Sequence, residues 1–173
     1  MKKIALVTCY FQHNYGSQLH ALATQMICDQ LGWPNETICI DGLKPEINRA
    51  KYRYFLSRIL DINTIRDKMA TVRKVIARKC YKSYAQNLQQ RDLLFDCFAQ
   101  QQFRLSKKYV SKEELGRCAS DYSAFIVGSD QLWLPSNISA NYYTLNFVPN
   151  GIGVRKVAYA TSFGISQLPK LVA

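Results

Sequence analysis

The chain has 173 residues and a formal net charge of +11, and 48% of its residues are hydrophobic. These values predict one globular domain with a sizeable core. No apolar run reaches the roughly 18 residues that span a bilayer, and the chain does not begin like a secreted precursor. We therefore exclude a membrane-spanning protein and expect a cytoplasmic one.

The positive charge is concentrated in one segment of the chain. Residues 44–82 contain twelve Lys or Arg and three Asp or Glu, so this segment carries +9 of the total charge. A basic amphipathic helix can lie on an anionic membrane, so peripheral membrane contact through residues 44–82 is one hypothesis and a solvated helix face is the other. We expect no nucleic acid as a partner, because no recognisable nucleic-acid-binding module accompanies the charge.

The six cysteines lie far apart in the sequence. They form no CxxC pair and no Cys/His cluster with the spacing of zinc ligands, so we expect no metal site. In a cytosolic fold such cysteines behave mainly as small buried hydrophobic residues. The set is Cys9, Cys28, Cys39, Cys80, Cys97 and Cys118.

The first forty residues have the pattern of a β-strand, an α-helix and a second strand. Ile4 to Cys9 has strand length, a helix capped by Ser17 is predicted to end at Gly32, and Thr37 to Ile40 makes the second strand. Strands joined in this way are parallel with a right-handed crossover, so the chain begins like a doubly wound fold. The apolar residues that share one face of this helix are Leu19, Leu22, Ala23, Met26, Ile27 and Leu31.

The middle of the chain is predicted to be helical and charged. A further helix is expected from Tyr84 to Phe98, after a basic helix with its own apolar face. We interpret residues 44–104 as a basic helical insert within one Rossmann-like domain that covers residues 1–173. The apolar face of the basic helix consists of Ile65, Met69, Val72, Ile76 and Cys80.

The last third of the chain returns to the strand pattern. A capping box of Ser111 and Glu114 starts a short helix, strands are predicted at 124–127 and 156–160, and residues 135–142 are expected to form a loop. Only nine residues follow Gly164, whereas a doubly wound parallel sheet needs further elements there. We therefore expect an α/β, Rossmann-like domain that is incomplete.

The most informative motif follows the third predicted strand. Val127 to Trp133 ends a buried strand in polar and aromatic side chains, at the edge where open α/β sheets bind ligands. Asp130 is our candidate catalytic acid or base, and its alternative role is to hold the loop through backbone N–H groups. Gln131 offers a donor and an acceptor to sugar hydroxyls, and Trp133 either offers an apolar face to a sugar ring or closes the core.

The loop before the first helix is the second candidate for substrate binding. Asn14, Tyr15, Gly16 and Ser17 lie where free helix N–H groups attract anions and where a glycine lets a ligand approach the backbone. A phosphate or a sugar hydroxyl could bind there. The alternative is simple helix capping by Ser17, which needs no ligand.

Two histidines flank this loop. His13 lies within the loop, where it can face the cleft and act as an acid or base near neutral pH. His20 lies within the helix and off its apolar stripe, so we expect a solvated or packed histidine there rather than a catalytic one.

Three segments together resemble the polysaccharide pyruvyl transferase family. They are Thr8 to Phe11 with Asn14 to Gln25, then Val127 to Trp133, and finally Tyr159 to Gly164. The likeness runs along the whole chain and corresponds to the amino-terminal half of such a protein. One departure is Leu134, because the family pattern has asparagine between the tryptophan and the following proline.

The resemblance implies a glycosyltransferase-B-like architecture, in which two Rossmann-like domains face each other across a cleft. It implies transfer of a pyruvyl group from phosphoenolpyruvate to a sugar or lipid-linked glycan acceptor of a surface polysaccharide, with no cofactor besides that donor substrate. It also implies that a carboxyl-terminal domain, absent from this sequence, holds most of the donor-binding groups. We therefore expect this chain alone to be inactive, because half a cleft cannot hold both substrates together.

Two other functions stay open on the sequence alone. A glycosyltransferase of the same architecture that uses a nucleotide sugar would place its acceptor contacts on the same loops. A non-enzymatic basic module would bind a membrane through residues 44–82, and Asp130 and Trp133 would then be unimportant for binding.

Overall fold

A parallel β-sheet lies at the centre of the computed structural model, which describes residues 2–57 and 81–165. The strands are β1 (Lys3–Val7), β2 (Asn35–Thr37), β3 (Tyr122–Asp130) and β4 (Arg155–Thr161), and their order in the sheet is β2-β1-β3-β4. Each neighbouring pair is parallel. The α/β fold with a parallel sheet that the sequence predicts is therefore confirmed, and it is consistent with a Rossmann-like domain.

The helices are α1 (Tyr15–Gln30), α2 (Lys44–Leu56), α3 (Lys82–Gln102), α4 (Lys112–Arg117) and α5 (Pro135–Ile138). The capping box is confirmed, because the Ser111 side chain accepts a hydrogen bond from the Glu114 N–H at the start of α4. The prediction of a continuous loop at 135–142 is wrong, since α5 begins there with proline in its first turn, where the missing N–H costs nothing. The basic helix predicted around 65–80 lies outside the described residues.

The core of the sheet is formed by β1 and β3. Ala5, Leu6 and Val7 are fully buried, and successive strand residues point to opposite faces, so β1 is covered on both faces as parallel strands usually are. Phe125 and Val127 of β3 pair in register with Ala5 and Val7 and are equally buried. This pairing places the carboxyl ends of β1 and β3 side by side.

Helix α1 buries a polar face and exposes an apolar one. Its buried residues include Gln18 and Gln25, whereas Leu19 is 58% exposed and most of the predicted apolar stripe is exposed with it. The side-chain amide of Gln18 donates to the backbone carbonyls of Tyr10 and Phe95, and that of Gln25 donates to the carbonyl of Gln102. These bonds compensate the burial of the amides and attach α1 to α3.

The fourth strand is much less covered than the others. Six of the seven residues of β4 are exposed, and Tyr159 retains 59% of its accessible surface. Among the described residues, β4 pairs with β3 on one side only. The five cysteines in the described ranges are free: Cys9, Cys28 and Cys39 are buried as expected, whereas Cys118 is half-buried and Cys97 is exposed.

Candidate functional site

A cavity of about 380 Å³ lies at the carboxyl edge of the sheet, where β1 and β3 end. It is open to solvent between the loop that follows β1 and the loop that follows β3. Most of its lining is polar and uncharged, and the polar side chains include those of Gln12, Asn14, Ser17, Asp130, Gln131 and Asn137. The topology therefore brings two of the three segments singled out in the sequence to one cavity.

Asp130 lies at the end of β3 in a strained backbone conformation. Its φ of +91° belongs to a region that residues other than glycine rarely adopt. The surrounding chain holds it there, because the Asp130 carbonyl accepts hydrogen bonds from the N–H groups of Leu132 and Ser162, at 2.8 and 3.0 Å. The structure thus fixes the direction in which the carboxylate leaves the sheet.

Each carboxylate oxygen of Asp130 has a donor from the chain. The Ser17 hydroxyl donates to Oδ2 at 3.1 Å, and the Gln131 N–H donates to Oδ1 at 2.7 Å. The side chain is nevertheless exposed to solvent. Because a carboxylate oxygen has two lone pairs, each oxygen can still accept a hydrogen bond from a ligand hydroxyl.

The loop before α1 provides the opposite wall of the cavity. Asn14, not Ser17, caps the helix, since its Oδ1 accepts a hydrogen bond from the Ser17 N–H at 3.0 Å. The predicted capping role of Ser17 is therefore wrong, because the helix begins three residues earlier than a cap at Ser17 would place it. Gly16 lies close against this cap, and a methyl group there would approach Asn14 Oδ1 to 3.2 Å. The Ser17 hydroxyl is left to hold Asp130.

Tyr15 and Trp133, both predicted to bind substrate, are not among the residues that line the cavity. Tyr15 points away toward α3, where its ring lies 4.8 Å from that of Phe95. The indole of Trp133 is half-buried against the core and donates to the Tyr143 carbonyl at 3.0 Å. These contacts match the alternative interpretation of Trp133, in which it closes the core beneath the loop.

Tyr159 to Gly164, the third segment that resembles the family, packs against the loop that follows β3. The N–H of Trp133 donates to the Ser162 carbonyl at 3.1 Å, and the Phe163 ring lies 5.6 Å from the indole. Gln131 packs directly on Gly164, so that a Cβ at this glycine would lie 2.9 Å from the Gln131 amide carbon. The segment from Tyr159 to Gly164 therefore shapes the cavity without lining it.

Leu134, where the family pattern has asparagine, does line the cavity. An apolar side chain thus occupies part of a mostly polar wall. Asn137 in α5 supplies an amide to the same cavity, and its Nδ2 lies 3.5 Å from the Gln131 carbonyl. Sequence reasoning missed Asn137 because the segment was interpreted as a loop.

Two further residues of the cavity, His20 and Cys9, were not predicted from the sequence to belong to the site. His20 lines it, because a residue one turn after Ser17 on α1 faces the same direction. Cys9 lies at its floor, where burial raises the pKa of the thiol to about 11 although a hydrogen bond with the Tyr143 hydroxyl, at 3.2 Å, lowers it. The spacing of His20 from Ser17 was the signal that could have identified it.

Lys51, a lysine of the basic insert, interacts electrostatically with Cys9 at the cavity floor. Lys51 on α2 is half-buried, and burial lowers the pKa of its ammonium while the nearby Cys9 thiolate would raise it. Its charge in turn lowers the pKa of Cys9, whereas the charge of Asp130 raises it. Within residues 44–82, Lys51 is thus a cation close enough to influence the cavity floor, which charge counting alone could not show.

Metal and membrane signatures are absent from the part of the chain that the structure describes. No group of three or more His, Cys, Asp or Glu side chains there could hold a metal ion. No helix in the same ranges is long and apolar enough to cross a bilayer.

Comparison with known proteins gives one match. The sequence pattern of the family described as polysaccharide pyruvyl transferase matches residues 14–172, which is most of the chain. Neither the curated proteins nor the solved structures yield a match. The matched range includes Asp130 and Ser17, which the structure joins by a hydrogen bond, and all of the segment from Tyr159 to Gly164. This chain belongs to the polysaccharide pyruvyl transferase family.

Proposed function

We propose that this chain forms the acceptor side of a pyruvyl transferase, which moves pyruvyl from phosphoenolpyruvate to a sugar of a surface polysaccharide or its precursor. Family membership supports the reaction class. The cavity beside Asp130 supports the acceptor role, because its lining suits a neutral sugar better than an anion.

The electrostatics of the cavity favour hydroxyl groups over phosphate. Amide and hydroxyl side chains dominate the lining, and no Lys or Arg is among the described residues that form it. If phosphoenolpyruvate were bound in this cavity, the carboxylate of Asp130 would repel its phosphate and carboxylate groups, because all of them are negatively charged. We therefore assign the donor to a facing surface, in the glycosyltransferase-B-like arrangement that the resemblance implies.

Ketal formation defines the chemistry that the cavity has to support. The methylene carbon of phosphoenolpyruvate gains a proton, two sugar hydroxyls form bonds to the central carbon and lose their protons, and inorganic phosphate leaves. We assign to Asp130 the removal of a proton from an acceptor hydroxyl, as a general base. Ser17 and the Gln131 N–H orient the carboxylate, and the Gln131 and Asn137 amides are placed to bind further hydroxyls.

The observation that carries this proposal is the hydrogen bond between Ser17 and Asp130, which joins the two cavity walls at a strained, exposed carboxylate. The test is to incubate the chain with phosphoenolpyruvate and methyl β-D-galactopyranoside. Phosphate release and the mass of the glycoside ketal measure turnover, and saturation-transfer NMR measures glycoside binding. Glycoside binding without turnover would support the acceptor role and place the donor site elsewhere.

The variant Asp130→Asn separates chemistry from folding. In a protein that also contains the donor-binding domain, we expect turnover to fall by about 100-fold or more, since general acid–base groups typically contribute that much. The melting temperature is expected to stay close to that of the wild type. Asp121→Asn is the matched control, because Asp121 is an exposed aspartate at the opposite end of β3. If the Asp130 variant retains full turnover, the assigned base is wrong.

We also propose that the basic segment 44–82 attaches the protein to an anionic membrane that carries a lipid-linked acceptor. The segment carries +9, which favours such a surface. Sedimentation with liposomes of neutral lipid, and with liposomes that contain anionic lipid, tests this proposal. Equal binding to both would remove it.

A further inference from the structure

His13 lies between two carboxylates of helix α3. Its Nδ1 lies 3.1 Å from Asp92 Oδ1, and its Nε2 lies 2.9 Å from Asp96 Oδ1. The two aspartates are one helical turn apart, so both face the same side of α3. Between them, the imidazole stacks on the ring of Phe95, with the ring centroids 5.8 Å apart and the planes at 22°.

The Nε2 contact with Asp96 is a hydrogen bond, and Nδ1 lies within ion-pair distance of Asp92. Both neighbours are carboxylate oxygens, which accept hydrogen bonds from ring N–H groups. The sequence expectation that His13 faces the cleft as an acid or base does not match this placement, because both nitrogens face α3.

The segment around His13 leads directly into the candidate site. The N–H of Asn14 donates to the Gln12 carbonyl at 2.7 Å, and Asn14 caps the first turn of α1. Gln12, Asn14 and Ser17 line the cavity, and Ser17 holds Asp130. The position of His13 therefore bears on the wall of the cavity through neighbouring residues and not by direct contact.

We propose that His13 is a positioning residue, whose imidazole clamps the loop between β1 and α1 onto Asp92 and Asp96 and so places the cap of α1 at the acceptor cavity. The importance of this placement for catalysis rests on the proposed function, whereas the existence of the clamp does not depend on it. It connects the helical insert to the site, because α3 ends the insert and also receives Gln18 and Gln25 of α1.

Hydrogen–deuterium exchange on the full chain tests the clamp without any substrate. We expect the peptide that covers residues 10–18 to exchange roughly three- to ten-fold faster in His13→Ala and in the double variant Asp92→Asn, Asp96→Asn. His13→Arg places N–H donors between the two carboxylates and is expected to recover slow exchange. Glu113→Gln is the matched control, because it breaks another exposed ion pair, with Arg117 on α4.

Two results would overturn the proposal. One is unchanged exchange of the 10–18 peptide in both His13→Ala and the double aspartate variant. The other is faster exchange in His13→Ala that His13→Arg does not reverse, since the imidazole would then act only by packing on Phe95. In a protein that shows turnover, the clamp also predicts that His13→Ala raises KM for methyl β-D-galactopyranoside more than it lowers kcat. If the wild type does not bind this glycoside, that result contradicts the proposed function but not the clamp.

Discussion

Gly128 sits where β3 and β4 approach so closely that no other residue fits. A Cβ at this position would lie 2.1 Å from the backbone oxygen of Tyr159 and 3.0 Å from its carbonyl carbon, and the φ of +155° is unfavourable for a residue with a side chain. Overpacking against backbone costs about 1–3 kcal/mol, and the strained φ costs about as much again. For Gly128→Ala we therefore expect the free energy of unfolding to fall by roughly 4 kcal/mol, a large part of the usual 5–15 kcal/mol.

Urea denaturation followed by circular dichroism measures this loss, and Gly151→Ala provides the control. Gly151 also has a positive φ, of +79°, but a Cβ there would meet no atom within 4 Å. Its substitution is expected to cost about 1 kcal/mol from backbone strain alone. The difference between the two variants isolates the close approach of the strands. If Gly128→Ala loses no more stability than Gly151→Ala, the pairing of Gly128 with Tyr159 is wrong.

Four further predictions concern the cavity and its surroundings. Iodoacetamide at about pH 8 is expected to modify the exposed Cys97 well before Cys9, whose pKa burial raises to about 11, and equal rates by peptide mass spectrometry would contradict this. Since an unfolded thiol ionises near 9.0 and folded Cys9 near 11, its contribution to stability should fall as the pH rises through that range, and Cys9→Ala should flatten this decline in urea titrations. Lys51→Met removes a cation whose pKa burial lowers, so the melting temperature should rise; a decrease would indicate an ion pair. Asn14→Ala should cost about 1 kcal/mol in the same denaturation assay, whereas Asn14→Ser keeps a capping oxygen and most of the stability.

Strands β1, β3 and β4 could be predicted because their signal is local, whereas the second strand, predicted at Thr37 to Ile40, lies at Asn35–Thr37. The apolar runs in β1 and β3 have strand length, and the strand–helix–strand pattern of the first forty residues indicates a parallel sheet. The position of Asp130 at a strand end could therefore be inferred. The strained φ of Asp130 could not be inferred, because it depends on the hydrogen bond from Ser162, thirty-two residues later.

The orientation of α1 could not be predicted from its amphipathic pattern. The pattern assigns Leu19 and Met26 to the buried face, but the helix buries Gln18 and Gln25, whose amides satisfy backbone carbonyls at Phe95 and Gln102. Those partners lie more than seventy residues away. A hydrophobic pattern reports the preference of the side chains for burial and contains no information about which backbone groups need a donor.

The exposed edge of β4 affects how the protein should be handled in solution. In the described parts of the chain the outer edge of β4 has no strand partner, so this edge, with its exposed Tyr159, can pair with the same edge of another molecule. The net charge of +11 opposes such contact by mutual repulsion. Salt weakens that repulsion over roughly 10 Å at 0.1 M but leaves strand pairing intact. High ionic strength, which often keeps basic proteins dispersed by preventing adsorption to nucleic acid, should therefore promote self-association of this one, and low-salt buffers are the better choice for concentrating it.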